Sequence, residues 1–206
     1  MDEKPFRHLS YGSHDILMFY DYKDLTIDNS VIQEANNYAE SFLIAWSMGV
    51  WAANIFIKKF SNLKSSIAIN GTPFPIHDRF GIPKKVYDLT LNNMSNSVKS
   101  TFYKNMFNND LKFSAFMDNQ PQRDVTELKE ELAKLRQMVE NTQNENIQYF
   151  NKVIIGKEDK IISYKNQIRF WNQYPEILKI IIDEPHYVFS KFNSWNEVIT
   201  YDTVLF

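Results

Sequence analysis

Five short apolar runs, each bounded by turn residues, place the strongest constraint on how this chain can fold. They are rich in Ile, Val and Leu, nearly continuous rather than alternating, and they occupy residues 15–22, 41–46, 65–70, 152–156 and 178–182. Runs of this kind are typical of strands that helices cover on both faces. One helical pattern, MGVWAANIFIKKF, directly follows the second run, and another, KNQIRFWNQY, comes after the fourth run. Alternating strands and helices predict an α/β fold with a mostly parallel sheet and helices on both faces.

The third and fourth runs are separated by about eighty residues, which is far more than one crossover helix needs. Within this insert, Asp124 is a plausible N-cap with Glu127 three residues later, and leucines recur at helical spacing up to Val139. The polar stretch at 142–146 then breaks the helical pattern. We therefore expect one domain over residues 1–206, in which residues 84–150 form a helical cap over one end of the sheet.

Composition excludes several function classes. The chain has no cysteine, so disulfides, thiol catalysis and cysteine-ligated zinc are ruled out, and no histidine–carboxylate cluster has metal-ligand spacing. No glycine-rich phosphate-binding loop is present, and no apolar run reaches the roughly 18 residues of a membrane span. The polar N-terminus does not resemble a signal peptide, so a cytoplasmic location is the simplest expectation. The net charge of −2 disfavours nucleic acid as the main partner.

The stretch AWSMG, residues 45–49, joins the second run to its helix. The nucleophile-elbow pattern is a serine between a strand and a helix, with a small residue two positions before it and another two positions after it. Ala45 and Gly49 provide the small positions, Ser47 is the candidate nucleophile, and the Met48 N–H can face a developing oxyanion. The alternative is an ordinary turn in which Ser47 only caps the helix. Trp46 either contacts substrate or packs in the core.

Two further candidates follow later strands. Asp159 comes after the run at 152–156, and His186 comes after the run at 178–182. The order Ser, Asp, His, with each residue just past a strand, is the order of α/β-hydrolases. His186 is the predicted general base and Asp159 its orienting carboxylate. Glu158, Asp110 and Asp118 are weaker alternatives for the carboxylate. His77 either lines the pocket or is a loop residue.

These segments together resemble the BioG-type pimeloyl-[acyl-carrier protein] methyl ester esterases of biotin synthesis. AWSMGVWAA, AINGTPFPI with the downstream GIP, HYVF and HDILMFYDYKDL carry the resemblance, which extends over essentially the whole chain. It implies hydrolysis of the methyl ester of pimeloyl-acyl-carrier protein, with Ser47, His186 and Asp159 as the triad. It also implies that the helical cap forms an acyl tunnel. Separately, the residues themselves lead us to expect no metal and no cofactor.

The same resemblance implies an acidic carrier protein as partner, received by the basic residues of the cap. Residues 84–123 carry six Lys and Arg against three Asp. We predict that Trp46, Phe74, Lys104 and Arg123 contact the carrier-bound substrate and that the protein is a monomer. A solvated basic face is the plainer interpretation of charge alone.

One departure from the family leads to a separate expectation. Family members begin with an additional apolar strand and an Asn-Gly-Trp-Gly loop that supplies the second oxyanion donor. That strand would lie between the runs at 15–22 and 41–46, so we expect a longer natural chain and poor solubility or activity without it. Two rival functions remain open: an acyl thioesterase or general carboxylesterase, and a catalytically silent acyl-carrier-binding protein.

Overall fold

The computed structural model describes residues 1–142 and 150–202, which contain four strands and eight α-helices. The strands are β1 (Ser41–Trp46), β2 (Leu63–Ile69), β3 (Lys152–Gly156) and β4 (Leu178–Ile182). The helices are α1 (Asn29–Asn37), α2 (Gly49–Phe56), α3 (Lys84–Asn92), α4 (Asn96–Asn105), α5 (Asp110–Asp118), α6 (Val125–Asn141), α7 (Tyr164–Trp171) and α8 (Trp195–Thr200). Short 3-10 helices span Lys4–Phe6, Ile57–Lys59 and Val188–Lys191.

The four strands form one parallel sheet in the order β1-β2-β3-β4. This confirms the predicted α/β class and four of the five predicted strands. The register pairs Trp46 with Ile69 and Gly156 with Ile182, so the carboxyl ends of the strands meet at one edge. Loops that leave this edge can therefore bring residues from distant parts of the sequence together.

The prediction of a strand at residues 15–22 is wrong. No residue of this segment belongs to a β-ladder, and Ile16, Leu17, Phe19 and Tyr20 are exposed. An apolar run becomes a strand only where a neighbouring strand supplies ladder hydrogen bonds. Among the described residues, β1 pairs with β2 on one side only, and no strand lies beside residues 15–22.

Alternate strand residues face two different layers of the core. Ile67, Ile69 and Ile154 point into one cluster, which also contains Val188 and Phe189. Their neighbours Ala45, Ala68, Val153 and Ile155 point to the opposite face, against Phe170 and Trp171. Because side chains alternate along a strand, a sheet covered on both faces needs apolar residues at successive positions. The continuous apolar runs of the sequence meet this requirement.

Helices α3 to α6 lie between β2 and β3, where the sequence predicts the helical insert. The predicted N-cap residue of α6 is confirmed, because the Asp124 carboxylate accepts a hydrogen bond from the Glu127 N–H at 2.8 Å. Leu135 of α6 is fully buried and packs in a third cluster with Trp51 and Tyr87. The predicted break at 142–146 and the end of the insert lie largely outside the described residues. None of the helices in the described part of the chain is long and apolar enough to cross a membrane.

Candidate active site

Ser47 lies in a strained turn between β1 and α2. Its φ of 58° falls in the left-handed region, which residues other than glycine rarely adopt. The turn is held on both sides: the Ser47 N–H donates to the Ile69 carbonyl at 2.9 Å, and the Ser47 carbonyl accepts from the Val50 N–H at 3.1 Å. Strain at a single residue that the surroundings fix this firmly is typical of functional sites. The strand, strained turn and helix are those of the predicted elbow.

A glycine just after the end of the neighbouring strand β2 leaves space for the turn. A Cβ at Gly71 would lie 2.3 Å from the Ser47 carbonyl oxygen and 2.7 Å from the Val50 side chain. A Cβ at Gly49 would meet only the Tyr22 hydroxyl, at 3.4 Å. The residue that most needs to be small is therefore Gly71 rather than Gly49, and the sequence argument, which looked along the elbow alone, missed it.

The structure brings Ser47, His186 and Asp159 into one hydrogen-bonded chain. His186 Nε2 is 3.0 Å from Ser47 Oγ, and His186 Nδ1 is 2.8 Å from Asp159 Oδ2. Both the imidazole and the carboxylate are buried. With the Nδ1 proton donated to Asp159, Nε2 carries a lone pair directed at the serine hydroxyl. This arrangement can remove a proton from Ser47 as its oxygen attacks an electrophile.

Backbone amides fix the second carboxylate oxygen. Asp159 Oδ1 accepts hydrogen bonds from the Ile161 and Ile162 N–H groups, at 2.8 and 2.9 Å.

The three weaker alternatives for the carboxylate that orients His186 are placed elsewhere. Glu158 bonds to Asn108, and Asp110 and Asp118 lie at the two ends of α5.

Asn70 clamps the loop that carries His186. Asn70 directly follows β2 and has a φ of 44°. Its side-chain amide nitrogen donates to the carbonyls of Pro185 and His186, both at 2.9 Å. Its amide oxygen accepts from the Gly156 N–H at 2.7 Å. Sequence reasoning missed this residue. Its position at a strand end, immediately before Gly71, was the available signal, because Asn is one of the few residues that tolerate a positive φ.

Trp46 also supports the histidine loop. Its indole N–H donates to the His186 carbonyl at 3.0 Å, and its ring centroid is 5.2 Å from that of the imidazole. Phe74 packs against Phe80 and Phe170 in the loop region that follows β2. Lys104 is exposed in the last turn of α4.

Arg123 does not have the exposed position that its predicted contact with the carrier requires. Its side chain is 7% exposed and forms an ion pair with Glu131 at 2.5 Å, with Asp21 and Glu127 nearby. A buried guanidinium that is already paired with carboxylates cannot also reach an anionic partner at the surface. Sequence alone gave no sign of this, because the pairing depends on how the segment before α6 packs.

His77 lies in the loop that follows β2, as the second of its two predicted positions requires. Its ring stacks on Phe80, with centroids 4.7 Å apart, and its Nδ1 accepts from the Arg79 N–H. Burial lowers the pKa of the His77 imidazole.

The Met48 N–H, the predicted oxyanion donor, has no acceptor among residues 1–142 and 150–202. It directly follows the nucleophile at the start of α2. A backbone donor at this position can hold a negative oxygen that develops on a carbonyl attacked by Ser47. In the part of the chain that the structure describes, no group of three or more His, Cys, Asp or Glu is placed to hold a metal ion.

Comparison with known proteins gives a family match over nearly the whole chain. Residues 6–198 match the family described as pimeloyl-ACP methyl esterase BioG. The crystal structure of BioG from Haemophilus influenzae is 31% identical and superposes with a TM-score of 0.84, covering 95% of this chain and 88% of that one. An esterase from Exiguobacterium antarcticum, 17% identical, has a TM-score of 0.59 over 79% of this chain and 65% of its own, which supports the fold alone.

A curated relative is a much longer protein. A malonyl-[acyl-carrier protein] O-methyltransferase of Bacteroides fragilis is 42% identical over 177 residues. The match covers 84% of this chain but 35% of the relative, so the chain spans about a third of that protein's length.

Proposed function

Because the chain belongs to the pimeloyl-ACP methyl esterase BioG family, we propose that it is a serine carboxylesterase that hydrolyses the methyl ester of pimeloyl-[acyl-carrier protein] in biotin synthesis. The single observation that carries the proposal is the chain of hydrogen bonds from Ser47 Oγ through His186 to Asp159. Family membership gives the reaction class, and this chain of contacts supplies a nucleophile, a base and an orienting carboxylate.

In the proposed mechanism, Ser47 Oγ attacks the ester carbonyl while its proton passes to His186 Nε2. The carbonyl oxygen becomes negative and is stabilised by the Met48 N–H. The intermediate then collapses: the bond from carbon to the methoxy oxygen breaks, and the imidazolium, held by Asp159, gives its proton to that oxygen. Methanol leaves, and the acyl group remains on Ser47 Oγ as an ester. Water attacks this ester with His186 again as base, and the free pimeloyl carboxylate is released while the thioester to the carrier stays intact.

The relatives support a methyl ester as substrate. The family description names one, and the B. fragilis relative is named for transferring a methyl group to carrier-bound malonate. Methyl transfer is not proposed for this chain, because it matches 35% of that relative and its site contains the parts of a hydrolase.

The acidic carrier protein is the proposed partner, and exposed lysines of α3 and α4 are the proposed contacts. Lys84, Lys85 and Lys104 are exposed on these two helices. Arg123 is left out of this surface because it is committed to Glu131. Contacts between exposed charges mainly speed association and weaken with salt.

The direct test offers methyl pimeloyl-carrier protein, the corresponding unmethylated acyl thioester, and small p-nitrophenyl esters to the purified protein. We expect methanol and free pimeloyl-carrier protein from the first substrate, at the highest kcat/KM of the three, and no turnover by Ser47→Ala. Preference for the thioester would indicate a thioesterase. Carrier binding without acylation of Ser47 would indicate a non-catalytic binding protein.

The partner surface is tested separately with lysine variants. Lys104→Ala should raise KM for the carrier-bound ester while leaving hydrolysis of p-nitrophenyl esters unchanged. Lys64→Ala is the matched control, because Lys64 lies near the start of β2, at the opposite edge of the sheet from Ser47. Equal effects of the two substitutions on KM would contradict the proposed surface.

A further inference from the structure

Asp159 Oδ2 has two hydrogen-bond donors, and one of them is not part of the triad. Besides His186 Nδ1, the Gln167 amide nitrogen of α7 donates to the same oxygen at 2.9 Å. Gln167 is completely buried. The other oxygen, Oδ1, is held by two backbone amides of the loop. The carboxylate therefore has a fixed partner on each oxygen in addition to the imidazole.

The orientation of the Gln167 amide is determined by its surroundings. Its nitrogen also donates to the Ile162 carbonyl at 2.7 Å, so both of its protons are used within the loop at residues 159–162. Exchanging the amide oxygen and nitrogen would place an oxygen against both a carboxylate and a carbonyl, which are acceptors only. The helix itself is anchored by Ser163, whose hydroxyl accepts from the Asn166 N–H.

We propose that Gln167 is a positioning residue that holds the Asp159 carboxylate in the plane that faces His186. The inference rests on the proposed hydrolase function. Rotation about the last torsion of an aspartate side chain is soft, so two hydrogen bonds to Oδ1 alone do not fix the plane. During the reaction the imidazole changes its charge and its contact with Ser47. The Gln167 amide stays neutral and does not contact Ser47, so its hydrogen bond to Oδ2 stays the same throughout.

Gln167→Met tests this role, because methionine has a similar volume but no donor. We expect kcat to fall about 10-fold to 100-fold, by analogy with residues that hydrogen-bond and orient metal-binding side chains. This is less than the loss of about 10⁴-fold when the carboxylate itself is neutralised. KM should not change, because Gln167 is buried behind Asp159 and does not contact substrate.

A spectroscopic signature separates positioning from general damage to the fold. We expect the proton between His186 Nδ1 and Asp159 Oδ2 to give a low-field NMR resonance in the free protein, and Gln167→Met should shift or broaden that resonance. Asn166→Ala is the matched control. The Asn166 side chain ties α7 to the carbonyls of Asp78 and Gly81 and does not contact Asp159. This variant should be less stable but keep the resonance and kcat.

Gln167→Asn provides a second variant if the methionine form does not fold. It keeps an amide in the helix but shortens the side chain by one bond of about 1.5 Å, so the donor no longer reaches Oδ2. A folded Gln167 variant with an unchanged resonance and unchanged kcat would overturn the proposal, as would an equal loss in Asn166→Ala. The resonance is read without substrate. A shifted resonance in a protein that hydrolyses no ester would therefore refute the proposed function and leave the positioning role standing.

Discussion

Asn70→Ala is the substitution that most directly links the fold to the site. Asn70 is completely buried and joins three strand ends through one side chain: it accepts from the Gly156 N–H and donates to the carbonyls of Pro185 and His186. Alanine removes all three hydrogen bonds. The His186 carbonyl retains the Trp46 indole as a donor. The Gly156 N–H and the Pro185 carbonyl are then left without these partners.

The expected loss of stability follows from the Gly156 N–H and the Pro185 carbonyl, which the substitution leaves unpaired. Leaving a buried donor or acceptor unpaired costs about 1–3 kcal/mol, so Asn70→Ala should lose about 2–6 kcal/mol of the free energy of unfolding. A left-handed φ is also less favourable for alanine than for asparagine, which adds up to about 1 kcal/mol. Such a loss is a large share of the roughly 5–15 kcal/mol that stabilises a typical domain. Because the His186 loop is no longer clamped to β2, kcat should fall as well.

Urea unfolding followed by circular dichroism measures the loss, and Asn70→Gly is the control. Glycine lacks the same hydrogen bonds but tolerates the positive φ, so it should be slightly more stable than the alanine variant. A change in the unfolding midpoint at constant slope would identify a change in stability alone. A loss well below about 1 kcal/mol, or a full loss of stability with kcat unchanged in the remaining folded protein, would refute the reasoning.

Three further substitutions test other parts of the account. Asp159→Asn should lower kcat by about 10⁴-fold, because an amide favours the wrong imidazole tautomer. A stopped-flow or discontinuous assay of ester hydrolysis measures kcat, and a loss below about tenfold would contradict the role assigned to the carboxylate. Glu131→Gln should cost about 3 kcal/mol in denaturant unfolding, because it leaves the Arg123 guanidinium buried without its closest carboxylate, while ester hydrolysis at a temperature where the protein is folded stays unchanged. Gly71→Ala should prevent formation of the Ser47 turn and abolish activity, because its Cβ would lie 2.3 Å from the Ser47 carbonyl oxygen. The control is Gly12→Ala, whose Cβ would meet nothing within 4 Å, so it should lose only the stability that a positive φ costs. Equal behaviour of the two variants in thermal unfolding would count against this explanation.

The sheet could be predicted from the sequence because a strand covered on both faces has a pattern of its own. Strands β1, β3 and β4 have the bounds predicted, and β2 begins two residues earlier and ends one residue earlier than expected. The run at 15–22 is also largely apolar, but it has no strand beside it among the described residues. Apolar residues indicate that a segment can pair, whereas the partner is determined by the rest of the fold.

The three side chains of the predicted triad could be found because each follows a strand, and parallel strands collect their carboxyl ends at one edge. The contacts made by the residues behind them could not be predicted. The Asn70 side chain bonds to residues 86 or more positions away, and the Gln167 side chain bonds to a residue 8 positions away. Neither spacing has a sequence signature. The error at Arg123 has the same origin, because its burial depends on Glu131 of the following helix. Exposure and pairing of a single charged residue are tertiary properties.

The central claim is that His186 activates the hydroxyl of Ser47, and covalent labelling tests it most directly. The protein is treated with a fluorophosphonate, digested and analysed by mass spectrometry, in parallel with the Ser47→Ala and His186→Gln variants. The account predicts one adduct on Ser47, which is absent from Ser47→Ala and forms much more slowly in His186→Gln. No adduct on Ser47, or labelling at the same rate without the imidazole, would contradict it.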